Sequence, residues 1–141
     1  MTRQRLYMFN LSENSLCELC KVEESAIHLF YFCRKSRPIY DWLLRKIQTS
    51  CDFKPDSNIR FLYFDFNCKE LHVKNICILL LCSYITTIWS CRSVNNLSPE
   101  IIKKRLRIKY IHYTNDINLI FNSSCRIKIF FGDFMNRIDL L

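Results

Sequence analysis

Glycine is nearly missing: Gly132 stands alone among 141 residues, beside three prolines at 38, 55 and 99. So little glycine argues against an all-β chain built on tight hairpins, whose commonest turns need residues at positive φ. It also excludes a glycine-rich loop that would bring backbone amides against phosphate. The 13 acidic residues are scattered, so the convergent carboxylates of a two-metal catalytic centre are absent. Ser, His and Asp all occur, but nothing frames a nucleophile against a base. Asp65 and Asp133 are lone acids amid aromatics, and His72 and His112 have no ligand partners nearby in sequence. The expectation is a non-enzyme with no small-molecule substrate.

Also absent is a secretory signal. The start, MTRQRLYMFN, holds two arginines and no apolar stretch of the roughly 7–15 residues such a signal needs. Nine cysteines, an odd number, without that signal predict reduced thiols in the cytoplasm or nucleus rather than a disulfide framework. The longest apolar run, ICILLLCSYITTIW from Ile76 to Trp89, has 14 residues. That falls short of the roughly 20 needed to cross a bilayer, and extending it backwards meets Lys74 and His72. A buried helix and no membrane partner are expected.

What the chain does have is positive charge and half of its residues hydrophobic. The net charge is +8. Residues 1–50 carry 8 basic and 5 acidic side chains, residues 51–100 carry 5 of each, and residues 101–141 carry 8 against 3. The excess sits at the two ends, where it would attract a polyanion through a field that salt screens.

The most informative run is CELCKVEESAIHLFYFC, with Cys17, Cys20, His28 and Cys33 in the spacing C-x2-C-x7-H-x4-C. Two cysteines separated by two residues reach one ion from a single turn. His28 and Cys33 lie a little over one helical turn apart. Ser25 is a candidate cap for a helix start, and Glu23 and Glu24 favour its N-terminal end. Three cysteines and a histidine fill a tetrahedral zinc sphere and leave no position for water, so the site predicted is structural Zn2+, not catalytic. Leu29, Phe30 and Phe32 would supply apolar backing. The other cysteines, 51, 68, 77, 82, 91 and 125, read as small buried apolar groups.

Periodicity predicts helices elsewhere. From Ser36 to about Thr49, Ile39, Tyr40, Leu43, Leu44 and Ile47 recur at helical steps beside Trp42, with Ser36 as cap and Pro38 in the first turn. Residues 50–68 look irregular, and Phe61–Phe66 reads as a short strand or a packed loop. Lys69 to about Asn95 reads as one helix, apolar nearly all round. Ser98 then caps a third helix with Pro99 at its first position, and Ile102, Leu106, Tyr110, Tyr113 and Ile117 keep its step. The segment from Cys125 is a short strand or helix. The fold expected is mostly α: a small zinc-binding module at 1–35, then a helical bundle of about three to four helices at 36–141 packed on it.

The run RLYMFNLSENSLCELCKVEESAIHLFYFCRKSRPIYDWLLRKI resembles the zinc-binding segment beyond the polymerase domain in reverse transcriptases of non-LTR retrotransposons. Cys17, Cys20, Glu24, His28, Phe30, Cys33 and Trp42 stand at matching places. Ile88, Trp89 and Arg92, in ILLLCSYITTIWSCRSVNN, are similar to a helix that often follows it. Glu18 and Lys21 stand where proline and glycine are often found around the first cysteine pair. The resemblance covers residues 3–47 and, more weakly, 76–94, and implies a role in engaging RNA or DNA. The polymerase itself is not expected here, since no Tyr-x-Asp-Asp pair is present. A nucleic-acid surface is expected at Arg3, Arg5, Arg34, Lys35, Arg37, Lys103, Lys104 and Arg107, with Tyr31 and Phe32 as stacking or core rings. Two alternatives stand beside it: a module docking on a polymerase or other protein partner, and a remnant without function.

Overall fold

A computed structural model describes residues 2–56, 59–94 and 96–121. They form α1 (Arg3–Met8), a π-turn (His28–Phe32), α2 (Arg37–Cys51), a helical turn α3 (Ile59–Leu62), α4 (Leu71–Cys91) and α5 (Pro99–Phe121). The fold is mostly α, and no strand occurs among the described residues; a single antiparallel bridge joins Leu16 to Glu23.

The α2 face is the one its periodicity gives: Ile39, Tyr40, Leu43, Leu44 and Ile47 are buried. Pro38 sits in the first turn, where its missing N–H costs nothing. Ser36 precedes the helix but does not cap it, because its hydroxyl donates back to the Cys33 carbonyl at 3.3 Å. At α5, Ser98 does cap: its Oγ accepts from the Ile101 amide at 3.4 Å, and Pro99 opens the helix. Ile102, Leu106 and Tyr110 of α5 are buried. Ile117 lies outside the described side chains, and the segment from Cys125 lies outside the described residues.

α4 is shorter than its apolar pattern suggests, ending at Cys91 rather than near Asn95. It packs against both α2 and α5, with Ile76, Cys77, Leu80, Leu81, Tyr84, Ile88 and Cys91 buried. Its β-branched and small polar residues are poor helix formers, so packing rather than propensity sustains it. Ser83 and Thr86 return their hydroxyls to the carbonyls of Leu79 and Cys82. Its 21 residues include an 18-residue window of mean hydropathy 1.6, long and apolar enough to cross a membrane by length and composition, and half of that window is buried within the structure. The 14-residue run understates the helix, because Leu71 and Val73 carry it past Lys74.

The aromatic stretch at 61–66 is neither strand nor simple loop. Phe61 and Leu62 are buried on α3, and Phe66 folds back with its ring 4.8 Å from Phe61 and 6.1 Å from Phe53. α1, which shows no sequence period, forms because the Thr2 hydroxyl accepts from the Arg5 amide at 3.4 Å. Leu29, from the cysteine/histidine run, joins the same core cluster as α2, α4 and α5.

Candidate metal centre

The first cysteine pair sits on a tight knuckle. The Lys21 amide donates to the Cys17 carbonyl at 2.9 Å, and the Cys17 amide to the Val22 carbonyl at 2.8 Å. To close it, Lys21 adopts φ of 60°. That is the left-handed region where glycine is at no disadvantage and a lysine is strained by about 1–2 kcal/mol.

The second pair is brought together by the π-turn. The Ser25 hydroxyl accepts from the His28 amide at 3.1 Å and starts the turn. Five residues along an α-helix rotate a side chain about 140° past its starting face. The wider π-turn reduces that overshoot: the Cys33 amide donates to the His28 carbonyl, five residues back, at 2.7 Å. Cys33 then leaves the helix with an extended backbone.

The four ligand atoms lie within 4.8 Å of one another. Cys33 Sγ is 3.9 Å from Cys17 Sγ and 3.8 Å from Cys20 Sγ, too far for a disulfide. A tetrahedron with metal–sulfur bonds of about 2.3 Å has edges of about 3.8 Å. Cys17, Cys33 and His28 are buried, and Cys20 is half-buried. His28 Nε2 is buried with no hydrogen-bond partner, and leaving a buried nitrogen unsatisfied costs about 1–3 kcal/mol. Burial holds the His28 pKa below its ordinary value, against the pull of Glu24, and so favours the neutral imidazole that metals bind. Burial foremost pushes the Cys33 thiol up to about 12; a cation turns such thiols into thiolates. The Arg34 amide points at Cys20 Sγ at 3.4 Å, a donor suited to a thiolate. This donor set fits one metal ion held entirely by protein.

Glu24 ties the centre to the helices. Its carboxylate is buried, accepts from the Arg3 amide at 2.9 Å, and pairs with Arg92 Nε at 2.9 Å from the end of α4. Tyr84 of α4 donates to the Phe30 carbonyl at 2.6 Å, and the Phe30 ring stacks near Trp89 with centroids 6.5 Å apart.

The eight basic residues expected to face nucleic acid divide. Arg5, Arg34 and Lys104 are exposed. Arg3 is held by Glu18 and lies 3.9 Å from Glu24. Lys35 is half-buried and donates to the Cys91 and Val94 carbonyls at 2.6 and 2.5 Å, closing the C-terminus of α4. Arg37 pairs with Asp41 at 3.1 Å and covers the Tyr31 ring at 4.4 Å. Lys103 and Arg107 sit over Trp42 at 5.5 and 5.9 Å. Tyr31 is packed on Tyr40, whereas Phe32 is 62% exposed. A cleft of about 680 Å³ lies between the knuckle and the α4–α5 corner, but Arg3 and Arg92, which line it, are committed to Glu24. Arg45 and Lys46 of α2 add two further basic side chains near these, Arg45 exposed and Lys46 half-buried four residues after Trp42 on the same helix face.

No family model, curated protein or solved structure matches this chain.

Proposed function

We propose that this chain is a zinc-stabilised module that binds nucleic acid, related in role to the zinc-binding segment that follows the polymerase in non-LTR retrotransposon reverse transcriptases. The observation that carries the metal reading is the sulfur triangle with the orphaned imidazole beside it: three thiols and one histidine select zinc among common divalent ions. With no open position the ion holds shape rather than doing chemistry. The two stretches that carry the resemblance also meet in space, through Glu24 and Arg92.

Support for nucleic acid comes from the surface beside the centre. The exposed Phe32 shares a concavity with Arg34, Arg37 and Arg45, of which Asp41 offsets one charge. A ring that is 62% exposed, edge-on to Tyr31 and among guanidiniums, suits a stacked base and its flanking phosphates. The test is anisotropy with labelled single-stranded RNA and DNA on protein purified without chelator, at 50 and 200 mM salt, with Cys20→Ser as control. Zinc near one equivalent, binding that weakens steeply with salt, and loss of both in the control are expected. No affinity tighter than about 10⁻⁴ M at physiological salt contradicts the reading.

A second reading, docking on another protein, draws on exposed apolar residues. α4, whose apolar run suggested a docking face, has half of its apolar window buried, with Leu71 and Trp89 exposed on it. Exposed apolar residues include Tyr7 and Met8 at the end of α1, Phe9 and Leu11 after it, and Leu19 and Val22 on the knuckle. Light scattering separates the two: a monomer at high concentration disfavours self-association through that patch.

A further inference from the structure

Away from the metal, two helices gather cations around one ring. Lys103 Nζ and Arg107 Cζ of α5 lie 5.5 and 5.9 Å from the Trp42 centroid of α2. Lys46 and Arg107 line a narrow crevice with Trp42, Leu43, Leu80 and Tyr110. Arg107 Nε is buried and has no hydrogen-bond partner. Among the described residues the acid paired with this group is Glu100, itself 80% exposed, 2.8 Å from Lys103. Burial, and then Arg107, Lys103 and Arg45, hold the Lys46 ammonium below its ordinary pKa. Like charges held this closely oppose folding, and the cation–π contacts pin them in place rather than neutralising them.

We propose that Lys46, Lys103 and Arg107, gathered over Trp42 in the groove between α2 and α5, form a cradle for the phosphodiester backbone of a nucleic-acid strand. This rests on the nucleic-acid reading and extends it to a second face of the module. The two faces share one helix: Arg45, which lines the Phe32 concavity, directly precedes Lys46 on α2. From Arg37 to Lys46 the rise along α2 is about 14 Å, room for more than one phosphate of a single strand. An acidic peptide would satisfy the cations but has no use for the exposed ring at the other end. A strand with bases uses both.

The test takes the zinc-loaded chain and a labelled single-stranded 12-mer, at 50 and 200 mM KCl. Lys46→Gln/Lys103→Gln removes two cradle charges. Lys69→Gln/Lys74→Gln removes two exposed charges at the start of α4, away from the groove. The cradle variant should bind about tenfold or more weakly at low salt, with the salt slope smaller by about 1.4, as two lost phosphate contacts on a single strand imply. It should also melt at or above the unaltered protein, because repulsion is relieved; this separates a binding loss from a folding loss. Equal losses in both variants, or none in either, overturn the cradle and leave the Phe32 face standing. No binding by the unaltered protein overturns both readings. Tighter binding to a polyglutamate peptide of equal charge overturns nucleic acid in favour of an acidic protein partner.

Discussion

Glu24 Oε1 accepts from Arg92 Nε at 2.9 Å, joining the loop that carries the metal ligands to the end of α4. The carboxylate is almost wholly buried, the guanidinium largely so, and Arg3 contributes its amide to the same oxygen. Removing one partner strands the other charge away from water. Glu24→Ala should therefore destabilise the fold by about 3 kcal/mol, more than the pair's net worth. Denaturant midpoints for Glu24→Ala, Arg92→Ala and the double variant check this, with the double variant costing less than the two singles added.

Lys21 holds a backbone conformation better suited to glycine. Lys21→Gly should stabilise the protein by about 1 kcal/mol or less, since relief of left-handed strain exceeds the added entropy of the unfolded chain. Lys21→Val should destabilise it by about 1–2 kcal/mol. Thermal melting of the zinc-loaded forms reads both.

Lys35 closes α4 through the Cys91 and Val94 carbonyls. Lys35→Ala should cost about 1 kcal/mol of stability, as charged groups on helix C-termini do, and leave nucleic-acid affinity nearly unchanged. Arg34→Ala, at an exposed position, should do the reverse. Paired melting and anisotropy measurements distinguish the two roles.

Three buried tyrosines, together with the buried Cys77 thiol and the half-buried Cys82 thiol, shape the response to alkali. Burial raises the pKa of Tyr40, Tyr84 and Tyr110 above the ordinary 10.0. The folded state keeps these protons while the unfolded chain loses them near pH 10. Their stabilisation is full below pH 10 and is lost as pH rises toward the folded values. The tyrosines' share of the fall should approach about 4 kcal/mol per pH unit, three protons' worth. Tyrosinate absorbance from these residues should appear together with unfolding, not before it.

Parts of this structure are visible in the residue pattern because they obey local rules. The buried face of α2 follows from steps of three and four. Ser98 and Pro99 announce α5. The ligand spacing at Cys17, Cys20, His28 and Cys33 brings four donors together as it suggests. Other parts depend on partners far along the chain. α1 has six residues, too few for a period, and is held by Thr2 and Glu24. Ser36 reads as a cap, but the preceding π-turn offers its hydroxyl the Cys33 carbonyl instead. Lys35 reads as a surface charge until α4 ends beside it. The grouping of Lys46 with Lys103 and Arg107 needs the packing of α2 on α5, which no single-helix pattern contains.

We propose that one zinc ion organises the front of the molecule through Cys17, Cys20, His28 and Cys33. X-ray absorption at the zinc edge, on protein purified without chelator, tests it most directly. Three sulfurs at about 2.3 Å and one nitrogen at about 2.0–2.1 Å are expected, with about one equivalent of metal. A shell dominated by oxygen, or a folded protein with less than about half an equivalent of zinc, contradicts it.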